Sequence, residues 1–289
     1  PTALYITLLS GLYKIPVIFG ESYGTMTNTV PVDAYRGAGR PEASYVLERL
    51  VDLAARELNM DPIEIRRKNF IQPHEFPYQT PVALQYDSGD YDALFDKLVE
   101  ISDYEALVRQ RDEARKQGRL VGIGISGCIE ACGLGPSKVV ISLGSGVGLW
   151  ESSTVRVHPS GKVTVMTGSH QHGQGHETTF AQIVAGTLGI PLSDVEVIHG
   201  DTGRTPFGLG TYGSRSAAVG GTAVLKSTEK VRDKVIKIAA HQLEAAVEDM
   251  VYDASNGTIY VKGSPDRSKS FAEIAVATLT AHQLPDDME

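Results

Sequence analysis

The sequence is short of several things at once, and each shortage removes a class of protein. It has only two cysteines, Cys128 and Cys132, so no disulfide framework braces it, and a reducing, cytoplasmic compartment fits. Lys and Arg number 27 against 35 Asp and Glu, for a formal net charge of -8. The basic residues are scattered, which argues against nucleic acid and anionic membrane as partners, since both need a basic footprint. Long apolar runs are missing too. Lys14, Pro16 and Gly20 break the first one, so neither a membrane span nor a signal peptide is read there. No loop matches the phosphate loop of nucleoside triphosphatases, and Gly122-Ile123-Gly124 does not continue into a dinucleotide fingerprint. There is no GxSxG elbow for a serine hydrolase.

What remains is an ordinary globular composition: 289 residues, 42% hydrophobic and 21% charged, enough for a sizeable core or two packed domains. In a helix Cys128 and Cys132 would share a face, but they lack the further ligands of a closed metal site and read as small buried residues. The apolar start at Pro1 and the end at QLPDDME read as cuts, so the chain is expected to be a fragment.

Residues 1–30 read as short apolar strands between turns. A helix is predicted from Pro41, with Ala43, Val46, Leu47, Leu50, Val51, Ala54 and Leu58 at helical spacing. A second starts at Asp61-Pro62, with Asp61 as N-cap and Glu64 completing a capping box. Its Arg66, Arg67 and Lys68 are ascribed to the favourable field at a helix C-terminus. Residues 72–90 should be irregular and 91–118 helical. A β-rich section then covers 119–130, 138–142, 150–157 and the run from 162, with VRVH-PSG-KVTVMT as a hairpin. Further predictions are a helix through TTFAQIVAGTLGI, a strand at DVEVIHGD, a long helix over 216–249, a hairpin at Asn256-Gly257 and a last helix, SFAEIAVATLTAH. Helices and strands mix without strict alternation, so the class is α+β, with domains at 1–118 and 119–289.

Three glycine-rich segments stand at junctions of these elements. In Ala34-Tyr35-Arg36-Gly37-Ala38-Gly39-Arg40 the glycines allow close backbone approach and the arginines offer forked donors at a helix N-terminus. A tight turn with two solvated arginines is the plainer alternative. Gly168-Ser169-His170-Gln171-His172-Gly173-Gln174-Gly175-His176-Glu177-Thr178 gathers histidines, amides and glycines between a strand and a helix, with Glu177 and Thr178 serving the helix start. A zinc site competes, but the spacing is not that of an HExxH pair, and the donors suit a large polar, anionic cofactor better. The third segment joins Gly200-Asp201-Thr202-Gly203 to Gly208-Leu209-Gly210-Thr211-Tyr212-Gly213-Ser214-Arg215-Ser216. Here Ser214, Arg215 and Ser216 would donate to phosphate or carbonyl oxygens, and Asp201 would accept from an amino group. A long surface loop is the alternative.

VDAYRGAGRPEASYVLERLVDLAARELNMDPIEIRRKNFI, GSHQHGQGHETTFAQIVAGTLGI and GLGTYGSRSAAVGG resemble the large subunit of molybdenum hydroxylases, the xanthine oxidase family. They are similar to its carbon monoxide dehydrogenase-type branch in the second, AYRGAGR-loop form. The resemblance runs through nearly the whole chain. It implies molybdopterin-binding domains of an oxidoreductase subunit, truncated at both ends, that holds molybdopterin cytosine dinucleotide. It further implies an iron–sulfur small subunit with [2Fe-2S] clusters and an FAD medium subunit as partners, in a dimer of heterotrimers. The chemistry implied is oxidation of a small molecule with water as oxygen donor: carbon monoxide, or an aldehyde or N-heteroaromatic compound as the alternative.

Carried over by position, Arg36 and Gly37 match the active-site loop. His172, Gly173, Gln174, Gly175 and His176, then Ser214, Arg215 and Ser216, match cofactor-binding stretches; Thr178, Asp201 and Thr202 beside them are further cofactor-binding candidates. In carbon monoxide dehydrogenases proper the loop reads like AYRCSFR, and its cysteine holds copper. Here Gly37 has no thiolate, so copper is not expected. No other metal ligand is assigned. The motif of the family's glutamate base is absent, and Glu21, Glu130 and Glu151 do not match it. The fragment alone is therefore expected to be inactive, a binding module at most.

Overall fold

The computed structural model describes residues 2–31, 33–133, 135–142, 146–205, 207–281 and 283–288. Pro1, Val32 and His282, each at the end of a predicted segment, lie outside these. Helices and small sheets mix as expected for α+β, in two compact units, Pro1–Glu130 and Ala131–Glu289.

The first unit contains α1 (Thr2–Thr7), α2 (Arg40–Glu57), α3 (Pro62–Asn69), a small antiparallel pair β1 (Tyr78–Gln79) and β2 (Gln85–Tyr86), α4 (Tyr91–Ser102) and α5 (Tyr104–Lys116). The predicted strands of 1–30 are replaced by α1 and irregular chain, with one isolated bridge between Tyr13 and Phe70. Short apolar runs do not distinguish strand from buried helix or coil. Here Leu12 and Tyr13 enter a core with Leu47, Ile63, Phe70, Tyr91 and Phe95 instead of pairing along a sheet. Phe70 is its hub, stacked on Tyr13 and meeting the Phe95 ring edge-on at 4.8 Å. α2 keeps Ala43 and Leu47 inside, while Leu50 and Leu58 of the predicted face are exposed. Asp61 caps α3 as expected, accepting from the Ile63 and Glu64 amides, but Glu64 turns to Lys68 and no capping box closes.

Arg66 corrects the sequence reading. It does not sit in solvent at a helix end but is fully buried. Its guanidinium donates to Glu48 Oε2 at 3.0 Å, Asp52 Oδ1 at 3.0 Å, and the carbonyls of Pro62 at 2.8 Å and Ile125 at 3.0 Å. Glu48 in turn accepts from the Tyr13 hydroxyl at 2.5 Å and the Gly127 amide at 3.0 Å. Burial, then the hydrogen bond and charge of Glu48, push the Tyr13 phenol well above its ordinary range. The network also explains why 119–130 is no strand. The Ile125 carbonyl and the Gly127 amide bond to Arg66 and Glu48, and Ile125 and Ile129 pack on the first core. The first compact unit thus keeps this stretch, running as far as Glu130.

The second unit contains α6 (Ser137–Ser142), β3 (Ser153–Val157), β4 (Val163–Thr167), α7 (His176–Leu188), β5 (Val195–Ile198), α8 (Gly221–Gln242), β6 (Met250–Asp253), β7 (Thr258–Val261), β8 (Ser264–Ser270) and α9 (Phe271–Thr280). The run 138–142, predicted as a strand, lies in α6, where the Pro136 carbonyl accepts the Val140 amide. Both predicted hairpins are present: β3 pairs antiparallel with β4, and β6 with β7. β8 (SPDRSKS) joins β7 as a polar edge strand with no apolar alternation to announce it. α8 is shorter than its predicted range, following a π-helical turn at Ser216–Gly220 and ending at Gln242, just before Glu244 turns to positive φ. Phe180, Val184 and Leu188 of α7 meet Val163, Val165, Val224 and Ile238 in the second core.

β4 and β5 position the site. They run parallel, Val163 beside Val195 and Met166 beside Ile198, with α7 as the crossover. Their carboxyl ends thus deliver residues 168–176 and 199–203 side by side, the edge where parallel strands present ligand-binding loops.

Arg66→Met should destabilise the first unit by about 3–5 kcal/mol, because Glu48 and Asp52 lose the charge that permits their burial. Asp61→Ala should cost about 1 kcal/mol for the lost cap. Urea unfolding followed by tyrosine fluorescence checks the order; equal costs would contradict it.

Candidate functional site

The first glycine-rich loop lies in the first unit, at the start of α2. Arg36 is exposed and Gly37 and Gly39 have φ of 98° and 107°. A β-carbon at Gly37 would stand 2.5 Å from the Pro41 Cδ, so this backbone refuses a side chain there. Arg40 is buried and ion-paired with Glu130.

The other two segments lie in the second unit and come together there. Gly175 caps α7 in the left-handed conformation without a side-chain cap. Gly173 and Gly175 leave open space where a β-carbon would project. The His172 amide donates to Gln174 Oε1, curling the loop on itself. His176 opens α7 buried, stacked on Phe180 at 5.3 Å, and its Nδ1 has no hydrogen-bond partner among the described residues. Burial, then His199 and His172, hold its pKa below the ordinary histidine value, so it favours the neutral form. Thr178 is exposed on the first turn of α7. Asp201 accepts the Gly203 amide on one carboxylate oxygen at 2.9 Å, tightening its own turn, and both Asp201 and Thr202 are exposed there.

Sequence reasoning passed over two residues here. His199 follows β5 directly. Its Nδ1 lies 2.8 Å from the Nδ1 of His170, and its Nε2 lies 3.0 Å from Glu177 Oε1. The signal was available, since an IHGD segment at a strand's carboxyl end lands beside the HQHGQGH loop once the strands are parallel. The second is Glu151, whose sequence context gives no such hint.

Glu151 redefines Arg215. Both side chains are fully buried and paired at 3.1 Å. The guanidinium, expected to face a ligand, is turned inward, donating also to the carbonyls of Trp150 at 2.6 Å and Gly210 at 2.5 Å. Glu151 accepts from the Ser169 hydroxyl at 3.2 Å and the Ser152 amide at 3.1 Å. A β-carbon at Gly208 would run into Glu151 Oε1, and one at Gly168 would come within 2.7 Å of the Gly208 Cα. Four pieces of chain, 150–152, 168–169, 208–210 and 215, thus close on one ion pair. Ser214 is left-handed, with its carbonyl accepting the Gly133 amide at 2.9 Å. The Ser216 hydroxyl pairs with that of Thr211 at 3.0 Å. Arg215 and Ser216 therefore shape the third loop from within.

Among the described residues no group of three or more His, Cys, Asp or Glu is placed to hold a metal ion. Cys128 and Cys132 are both exposed, against the expected burial.

Arg215→Gln should destabilise the second unit by about 3–5 kcal/mol, by stranding the Glu151 charge. Adding Glu151→Gln should restore part of the loss. Urea unfolding of both variants checks this; no recovery in the double variant would contradict it.

Comparison with known proteins agrees with this geometry. Two molybdopterin cofactor-binding domain families match, one over residues 2–70 and one over residues 97–286. The carbon monoxide dehydrogenase large chain of Hydrogenophaga pseudoflava is 42% identical over 288 residues, 98% of this chain and 35% of that protein. The nicotine 6-hydroxylase large subunit of Paenarthrobacter nicotinovorans is 35% identical over 93% of this chain and 32% of its own length. Among solved structures, quinoline 2-oxidoreductase from Pseudomonas putida 86 superimposes with a TM-score of 0.87 at 37% identity, covering 100% of this chain and 36% of that one. The Cu,Mo-CO dehydrogenase gives 0.78 at 37% identity, over 95% of this chain and 35% of that one. The chain spans about a third of the length of these relatives. It belongs to the molybdopterin cofactor-binding domain family.

Proposed function

We propose that this chain is the molybdopterin-holding part of the catalytic large subunit of a carbon monoxide dehydrogenase-type molybdenum hydroxylase. The observation that carries the reading is the edge where β4 and β5 end. A loop with open glycine backbone at Gly173 and Gly175 meets an uncapped helix N-terminus and the unpartnered Nδ1 of buried His176. A small ion would leave most of these groups idle, whereas a large polar, anionic pterin dinucleotide uses them. The residues present therefore fit the cofactor.

His172, Gly173, Gln174, Gly175, His176 and Thr178 would hold it at α7, with Asp201, Thr202 and Ser214 on the neighbouring turns. Arg215 and Ser216 set the shape of that wall through Glu151 and Thr211. Arg36, exposed on a turn that Gly37 and Gly39 allow, would donate to the reacting end. When bound, molybdopterin cytosine dinucleotide supplies molybdenum-centred oxidation with water as oxygen donor. The same reading gives an iron–sulfur small subunit and an FAD medium subunit as electron-carrying partners, in a dimer of heterotrimers. The setting is cytoplasmic; no helix among the described residues is long and apolar enough to cross a membrane.

A second reading, hydroxylation of an aldehyde or N-heteroaromatic compound, is favoured by Gly37. It offers no thiolate for copper, and Pro41 bars a side chain from its place. The similarity to quinoline 2-oxidoreductase points the same way. In isolation, the 289-residue piece is a binding module without turnover.

Arg36→Ala and Gln174→Ala in the full-length subunit should each lower bound molybdenum several-fold, measured by elemental analysis; full metal content in both would refute the cofactor assignment. Dye reduction by the native complex separates the substrates. Reduction with carbon monoxide supports the first reading, and reduction only with aldehydes or N-heteroaromatics assigns the second.

A further inference from the structure

We propose that Glu130 is a positioning residue for the loop that carries Arg36 and Gly37, acting through the buried guanidinium of Arg40. The proposal deepens the cofactor reading and rests on its assignment of that loop to the reacting end.

The loop has little of its own to hold it. Gly37, Ala38 and Gly39 stand in succession at φ of 98°, 51° and 107°. Glycine takes such angles freely, but an alanine stays there only where its surroundings fix it. Among the described residues, the hydrogen bonds of 34–39 remain close in sequence. The Ala38 amide donates to the Tyr35 carbonyl at 2.7 Å, the Arg40 amide to that of Gly37 at 3.1 Å, and the Ala43 amide to that of Gly39 at 3.1 Å. The Ala34 amide donates to its neighbour, the Asp33 carboxylate. These bonds close turns and tie the loop to nothing beyond α2. Its direction therefore follows from how the first turn of α2 is seated.

Arg40 seats that turn. It opens α2, is only 5% exposed, and donates from Nη1 to Glu130 Oε1, 90 residues along the chain. Its Nε and Nη2 are buried without a hydrogen-bond partner among the described residues. The two other buried arginines are better supplied. Arg66 reaches two carboxylates and the carbonyls of Pro62 and Ile125, and Arg215 reaches a carboxylate and two carbonyls. Each keeps acceptors after losing one. Arg40 depends on a single carboxylate, and without it a buried guanidinium has no compensating charge and must move towards water. Because Arg40 directly follows Gly39, that movement shifts the three left-handed residues joined to it. Pro41, on the same turn, packs where a Gly37 side chain would stand, so the shift reaches Gly37 by contact as well. Glu130 thus sets the loop from a distance and is not itself a catalytic residue.

Hydrogen exchange on the full-length subunit tests this without turnover. Glu130→Gln keeps the size and an acceptor oxygen but loses the charge. In it the hydrogen-bonded Ala38 and Arg40 amides should exchange faster by about tenfold or more, while 44–57 of α2 keep native rates. Adding Arg40→Met removes the stranded charge and should return the loop towards native exchange. Glu130→Asp, with its charge one methylene further back, should fall between native and Glu130→Gln, and it carries the comparison if the latter does not fold. In the cofactor-loaded complex, Glu130→Gln should lower kcat by about tenfold or more with KM near native, as a displaced reacting group does. Native exchange at Ala38 and Arg40, faster exchange throughout α2, no recovery in the double variant, or an unchanged kcat would overturn the proposal. The two readings fail separately. A native subunit that never holds molybdenum removes the cofactor reading and leaves the exchange comparison intact. Native loop exchange in a molybdenum-loaded Glu130→Gln variant removes only the positioning role.

Discussion

The second unit is organised around one buried ion pair. Glu151 and Arg215 are both withdrawn from water, which costs several kcal/mol per charge unless the pair is well hydrogen-bonded. Here it is: the guanidinium reaches two carbonyls besides the carboxylate, and the carboxylate takes a hydroxyl and an amide. Those partners belong to separate loops. The charges thus bring together chain that has no sheet or helix of its own. The glycines at 168 and 208 follow from the same constraint, since any side chain there would occupy the carboxylate's place.

The first unit solves a similar problem in a similar way. Arg66 draws α2, α3 and the extended 119–130 stretch around its guanidinium, with Glu48 relaying the connection to Tyr13 and Gly127. In both units an arginine that a sequence pattern assigns to a surface or to a ligand is a strut. Its planar fork, with donors in fixed directions, suits that work better than a lysine would. What is left to meet a ligand is a thinner set: backbone amides, a buried histidine nitrogen and exposed imidazoles on loops that these struts hold in shape.

That division marks how much was legible in the sequence. Periodicity gave α2, α7, α9 and both hairpins, because each buries a face whose spacing is written in its residues. The HQHGQGH segment could be singled out as a candidate site, since so many donors gathered between a strand and a helix have little structural use. The strand readings of 119–130 and 138–142 failed because Ile125 and Ile129 pack against the first core and 138–142 lies in α6, and nothing local reveals which. Arg215 and Arg66 were misread for a shared reason: a long-range ion pair leaves no trace in local pattern, and their partners Glu151 and Glu48 lie 64 and 18 residues away. His199 was missed because it becomes part of the site only once β4 and β5 are known to be parallel. Gly37, in contrast, was informative at both levels, lacking a thiolate by sequence and lacking room for one by geometry.

The claim on which the rest turns is that the Glu151–Arg215 pair holds the ligand-facing loops in shape. Hydrogen exchange on the full-length subunit carrying Glu151→Gln tests it most directly. The account predicts that amides in 168–176 and 208–216 lose protection together, while those of the first unit keep theirs. Native protection in both loops, or loss confined to the residues adjoining position 151, would contradict it.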